Sequence, residues 1–254
     1  MTQRSTKLSF REIAQELRES IVSGQHPPAS LMPPEPVLAE RFGVSRALVN
    51  RAMQLLAAEG LIQARQGRGT MVTWIPPLLH SPARYAREAR EQSGNRGAFD
   101  SEIKAIGLVP QHEITTYRAE PPPEIAAALE LPEGQVNCLV RRRRLSASGI
   151  RVRLNASWFP LEIAGGTVLE DASAVIVGGT KSALAELGYS QTFATERLLT
   201  RLPSEEEIDA LEISPERTVF DIFHVGRAGN QPVEVITTVT PAHYLILETE
   251  FPIV

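Results

Sequence analysis

Residues 38–60 read LAERFGVSRALVNRAMQLLAAEG, and this stretch decides how the first third of the chain folds. Leu38, Ala39 and Phe42 share one face of a short helix starting near Pro34-Glu35, and Gly43 stops it. Ser45 is a good N-cap for a further helix to Glu59, with Gly60 as its stop and Val49, Ala52, Met53 and Leu56 as its buried stripe. Upstream, Phe10, Ile13, Ala14, Leu17 and Ile21 mark one face of a helix over residues 10–23, which Gly24 and Pro27-Pro28 end. Downstream, residues 61–65 and 70–73 read as strands joined by Gln66-Gly67-Arg68-Gly69, whose glycines permit positive φ. Three helices and a glycine-tipped hairpin make a compact unit.

The longest of these helices turns Arg46, Ala47, Asn50, Arg51 and Gln54 away from its stripe. Arg and Asn each make paired hydrogen bonds to base edges in the major groove, Arg to guanine and Asn to adenine. Arg46 and Asn50 are four apart and so share a face near the N-terminal end, the part that enters a groove. Ser45 and the first amides of the helix can hold a phosphate. Arg68 at the hairpin tip can reach the neighbouring backbone or minor groove, with Thr70 as a phosphate donor. An ordinary solvated helix face would look the same residue by residue; the assembly is the specific signal.

Charge follows this division. The chain of 254 residues carries a net −4, with 43% hydrophobic and 22% charged residues, enough for two modest domains or one large one. Residues 1–75 hold nine Lys/Arg against six Asp/Glu, three in excess, so the remainder carries seven net negative charges. Cys138, the single cysteine, sits in an apolar strand-like run and reads as a small core residue of a reducing compartment. The N-terminal MTQRSTKLSF has no apolar leader, and no run approaches a membrane span, so a cytoplasmic protein without membrane contact is expected. The five histidines are scattered without metal-ligand spacing, no Gly-x-Ser-x-Gly occurs, and Glu205-Glu206-Glu207 after Ser204 reads as an acidic first helical turn. Neither an enzyme nor a cofactor is expected.

Leu31-Met32-Pro33-Pro34-Glu35, then Leu38 to Arg46, then Glu59-Gly60-Leu61-Ile62 leading into Gln66-Gly67-Arg68-Gly69-Thr70, resemble the DNA-binding half of GntR-type regulators over residues 8–73. The resemblance implies a winged helix-turn-helix in which Arg46, Arg68, Gly69 and Thr70 touch operator DNA. Two positions depart from the family pattern: Pro36 replaces a phosphate-binding arginine, and Asn50 replaces another DNA-contacting arginine, although Arg51 is adjacent.

From Phe99 onward the pattern is mixed. Helices are expected over residues 99–106, 121–129, 180–187 and 204–211. Strands are expected over 112–118, 136–145, 150–158, 219–227, 233–240 and 244–251. Antiparallel hairpins with helices on one side fit this order, giving an α+β protein: residues 1–75 the DNA-binding domain, 76–97 a linker, 98–254 the second domain. Residues 78–252, by Gly107-Leu108-Val109-Pro110, Leu131-Pro132-Glu133-Gly134, Trp158-Phe159-Pro160 and Pro232-Val233-Glu234, resemble the UTRA effector domain of the HutC subgroup, similar in fold to chorismate lyase.

Four arginines run along one strand, so Arg142 and Arg144 share one face and Arg141 and Arg143 the other. In related sensors arginines on this strand hold an effector's phosphate or carboxylate, and Arg142 and Arg144 are the expected pair. Exposed arginines, or arginines paired with acids across a dimer interface, remain the alternative. Gly178-Gly179-Thr180-Lys181-Ser182 opens a helix as an anion site or as mere capping; it lacks the first glycine of a nucleotide P-loop. Glu234 matches a family position that binds effector hydroxyls or amides, and Asn155 stands where a second such glutamate occurs. The resemblance implies a homodimeric repressor reading an inverted repeat and answering a small anionic metabolite. The alternatives are a ligand-independent DNA-binding protein whose second half only dimerises and, more distantly, a lyase-like enzyme.

Overall fold

The computed structural model describes residues 8–65, 67–86, 88, 91 and 94–250. The leader stretch 1–7, the turn residue Gln66, part of the expected linker and the end of the expected last strand at Phe251 lie outside the described residues. The chain divides into two compact units, Met1–Pro76 and Pro77–Val254.

In the first unit α1 (Phe10–Val22), α2 (Glu35–Phe42) and α3 (Arg46–Glu59) precede β1 (Ile62–Arg65) and β2 (Gly69–Val72). Ser9 starts α1 with a reciprocal box: its hydroxyl accepts from the Glu12 amide, and the Glu12 carboxylate accepts from the Ser9 amide. Gly43 and Gly60 close α2 and α3 in the left-handed region, at φ 62° and 82°. Ile13, Leu17 and Ile21 of α1, Leu38 of α2 and Val49 and Leu56 of α3 are wholly buried in one core with Val72. Arg18 donates to both Glu59 carboxylate oxygens, 2.9 and 2.6 Å, tying α1 to the end of α3. Residues 29–32 run beside β2, with Met32 N donating to Thr70 O and Val72 N to Ser30 O, so the hairpin leans on a third extended segment.

The second unit is built on a six-stranded antiparallel sheet of order β4-β5-β6-β9-β8-β7. Its strands are β4 (Pro110–Ala119), β5 (Cys138–Ala147), β6 (Ile150–Pro160), β7 (Phe193–Arg201), β8 (Val219–Ala228) and β9 (Gln231–Pro241). The helices are α4 (Ala98–Ala105), α5 (Pro123–Leu129), α6 (Leu161–Ala164), α7 (Gly179–Glu186) and α8 (Glu205–Leu211). They cover both faces, where the sequence suggested one. Leu139, Phe159 and Val233 pack with α6 and α7, while Cys138, Val225 and Val235 pack with α5. Alternate residues of β5 are therefore buried on opposite sides, which a single-face reading cannot accommodate.

Besides the one-turn α6, which was not expected, two segments differ from expectation. β7 went unseen because this edge strand is exposed along most of its length and has no two-residue hydropathy alternation. The stretch expected as a linker begins as structure: β3 (Leu78–His80) pairs in parallel with β10 (Leu245–Leu247), and Pro82–Tyr85 is a 3-10 turn. β10 is also all that forms of the expected 244–251 strand among the described residues.

Candidate DNA-reading surface and ligand cavity

Around the start of α3, Ser45 Oγ accepts from Leu48 N at 3.4 Å, so this hydroxyl caps its own helix. Arg46, Ala47, Arg51 and Gln54 are exposed, and the first turn of α3 carries no acid, leaving its positive dipole end unopposed. At the wing tip Gly67, Arg68 and Gly69 are exposed and Thr70 is half-buried. Gly67 and Gly69 lie at φ 71° and 89°, so the turn needs residues without a Cβ penalty there.

Two residues expected to face DNA are engaged within the protein. Asn50 is half-buried, and its Nδ2 donates to Glu35 Oε1 at 2.9 Å, linking α3 to the first turn of α2. The Arg51 guanidinium lies over the Phe10 ring, 4.4 Å from its centroid. Neither engagement could be read locally, because both join helices far apart in sequence.

In the second unit a cavity of about 90 Å³ lies between the sheet, the start of α7 and the residues that open the unit. Arg143, Arg153, Asn155, Thr180, Lys181 and Glu196 are among its walls. Only Asn155 and Thr180 of the residues expected from sequence line it. Arg142 and Arg144 point to the opposite face: they pair with Glu206 at 2.8 Å and Glu113 at 3.1 Å beside α8, bordering a separate open groove. Strand alternation decides this. Leu139 packs under α7, so Arg141, Arg143 and Leu145 share its side and Arg142 and Arg144 do not. Arg141 in turn is 3% exposed and donates to the carbonyls of Leu169 and Asp171, at 3.1 and 2.8 Å. It fastens the segment before α7, and burial pulls its pKa down to about 10.

Ser182 and Glu234 lie behind the wall that Thr180 helps to form. Glu234 is fully buried and does not line the cavity; its oxygens accept from Thr180 Oγ1 at 2.8 Å and Gln191 Nε2 at 2.9 Å. Burial alone would raise its pKa, but nearby Lys181 and Arg143, with those two hydrogen bonds, hold it below the ordinary carboxylate value. Ser182 Oγ donates to Glu91. Neither hydroxyl caps α7, whose N-cap is Gly178. Gly179 lies at φ 72°, where other residues are strained, and a Cβ there would sit a tight 3.0 Å from Arg96 O.

Arg143 is the cation most open to a ligand. Its Nη2 donates to Ser157 Oγ at 2.6 Å, its Nε has no partner, and no carboxylate among the described residues reaches ion-pair distance. Burial pulls its pKa down, partly offset by Glu234. Arg153 Nε and Asn155 Oδ1 are also buried without partners. Guanidinium donors left unmatched in a cavity suit an anion with several acceptor oxygens.

The cavity also holds a carboxylate that sequence reasoning missed with β7. Glu196 accepts from His80 Nε2 at 2.9 Å, from His224 Nδ1 at 3.0 Å and from Tyr85 OH. Arg84 Nη1 lies 2.8 Å from His80 Nδ1, and Lys181 Nζ lies 3.0 Å from His224 Nε2. Both cations can only donate, so each imidazole is neutral with its proton on the nitrogen facing Glu196. Burial would raise the Glu196 pKa, but His224, His80 and Tyr85 drive it far below the ordinary carboxylate range.

Residues 10–72 match the model of the bacterial regulatory proteins of the gntR family, and residues 105–245 match the UTRA domain. An uncharacterized HTH-type transcriptional regulator of Streptomyces coelicolor is 28% identical over 223 residues, covering 86% of this chain and 82% of that protein. The HTH-type transcriptional repressor NagR of Bacillus subtilis is 28% identical over 159 residues, 61% of this chain and 59% of NagR. A crystal structure of a GntR-family transcriptional regulator superposes with a TM-score of 0.59 at 25% identity, covering 97% of this chain and 98% of that one.

Proposed function

The chain belongs to the GntR family, in the form that joins the helix-turn-helix to a UTRA domain, and from this we propose that it is an effector-responsive repressor binding an inverted-repeat operator as a homodimer. The observation that carries the reading is the exposed N-terminal turn of α3: Arg46 and Ala47 stand clear of the core, beside a helix end without acids. Arg46 reads bases in the major groove, Ser45 orders the helix start, and Arg68, Gly69 and Thr70 follow the backbone or minor groove. Asn50 reaches a base by its free carbonyl or after leaving Glu35, and Arg51 on leaving Phe10. Two protomers would set these helices about one DNA turn apart, ~34 Å. The similarity to NagR, a transcriptional repressor, supports repression.

The small-molecule side of the reading rests on Arg143, Arg153 and Thr180 around the second unit's cavity, which suit an anionic metabolite. Arg142 and Arg144, with their acidic partners, serve the opposite sheet face. The test is to bind the purified chain to fragments flanking its own reading frame and then titrate small carboxylates and phosphate esters. Specific binding that an anion weakens supports the reading. Specific binding that no anion changes favours a ligand-independent DNA-binding protein, and absence of binding to every fragment refutes both.

A further inference from the structure

Three residues lining the cavity carry buried polar atoms that have no partner among the described residues, and these are of both hydrogen-bonding kinds. Arg143 Nε and Arg153 Nε are donors without partners, and Arg153 is 3% exposed; Asn155 Oδ1 is an acceptor without one. A simple anion would satisfy the donors and leave the acceptor orphaned. Glu196, the sole carboxylate among the described residues lining the cavity, adds acceptor capacity: a carboxylate offers about four lone-pair sites, and three hydrogen bonds are made to it. At about 90 Å³ the space is well below the few hundred Å³ of an ordinary ligand pocket, so anything but the smallest ligand must displace side chains. His80 and Tyr85 reach this wall by donating to Glu196.

We propose that Glu196 is the second pole of the ligand site, and that the ligand is a small carboxylate bearing a hydroxyl or ammonium group close to its acid. The carboxylate goes to Arg143 and Arg153, and the donor goes to Glu196 and Asn155. The inference rests on the effector reading given above and adds the ligand's chemical class. It has a mechanical consequence, because His80 and Tyr85 belong to the segment that follows the first unit in the chain, four and nine residues after Pro76. His80 anchors that segment in β3, and Arg84 joins it to Glu102 by an Nε bond of 2.7 Å. A ligand donor that takes a lone pair now used by His80 or Tyr85 releases that residue, and so loosens the stretch that joins the two units in sequence.

Three isosteric probes separate the possibilities in the whole chain: propionate, lactate and alanine differ only in lacking a donor, carrying a hydroxyl or carrying an ammonium. Lactate or alanine should bind about tenfold tighter than propionate, the worth of one hydrogen bond to a charged group. Hydrogen exchange over residues 78–85 should quicken when it binds. Glu196→Gln should erase the preference for lactate or alanine over propionate, and Tyr85→Phe, which frees an acceptor site, should strengthen lactate or alanine binding. Equal responses to all three probes, or unchanged exchange over 78–85 at saturation, would overturn the proposal while leaving the anion reading intact. No response to any of the three would defeat the proposal, and the anion reading would fall with it only if phosphate esters also gave no response.

Discussion

Arg143 should reduce the stability of the free protein, and removing it should show this. Its guanidinium is enclosed by the sheet and α7, with Ser157 Oγ as its one hydrogen-bonded partner and no carboxylate in pairing range among the described residues. Replacing buried ionic groups with apolar residues of similar volume is neutral or stabilising by about 1–4 kcal/mol, because the desolvation cost disappears. Arg143→Met alone would orphan the fully buried Ser157 hydroxyl, which costs about 1–3 kcal/mol and hides much of the gain. The informative variant is therefore Arg143→Met with Ser157→Ala. For a unit of this size each kcal/mol moves the melting temperature by about 2–4 °C, so the double variant should melt several degrees higher than wild type, and Arg143→Met by less. Calorimetry without added anions reads the shift, and a titration with anions should move the wild-type transition upward but not that of the variant. A double variant that melts well below wild type would refute the reasoning, because the guanidinium would then be a net support of the fold rather than a group held ready for a ligand.

Other outcomes follow from the same structure. Burial, reinforced by Arg217, holds the His243 pKa down to about 3 against an ordinary 6.5, and burial lowers that of His224. Below pH 6.5 the unfolded chain thus binds protons that the folded chain refuses, so the urea midpoint should fall progressively toward pH 3; His243→Phe should flatten that slope, and an unchanged slope would exclude this histidine as a source. Asp100, whose bonds from His112 and Arg96 overcome burial and hold it at about 2, contributes stability above the ordinary carboxylate range that is lost on further acidification, and Asp100→Asn should remove that loss. Leu17→Ala should destabilise the first unit by about 2–5 kcal/mol, since Leu17 is wholly buried; a loss under 1 kcal/mol in denaturant titrations would mean the core collapses around it. Cys138 is buried, and burial pushes its thiol up to about 12, so iodoacetamide should label it only as fast as the protein unfolds.

The first unit was the more legible half. Its helices announce themselves by stripe, cap and stop, and Ser45, Gly43 and Gly60 sit where the sequence suggested. What local pattern could not supply was side-chain engagement across elements: nothing near Asn50 points to Glu35, fifteen residues away, or near Arg51 to Phe10. The second unit's order of helices and strands was readable except for the short β3 and α6 and for β7, whose exposure leaves no hydropathy signal. The missing strand hid Glu196. The arginine strand shows a different limit, because alternation divides Arg141–Arg144 into two pairs but does not say which faces the cavity. That choice depends on Leu139 meeting α7, a contact between residues more than forty positions apart.

The most direct test is the affinity of the whole chain for an inverted-repeat operator and a scrambled duplex, compared between wild type and Arg46→Ala at fixed salt. Arg46 should supply about 1–3 kcal/mol of operator binding, so the variant should bind the operator several-fold to more than a hundredfold more weakly and approach its affinity for the scrambled duplex. An Arg46→Ala protein that folds normally and still separates the two duplexes as wild type does would contradict the placement of α3 in the groove.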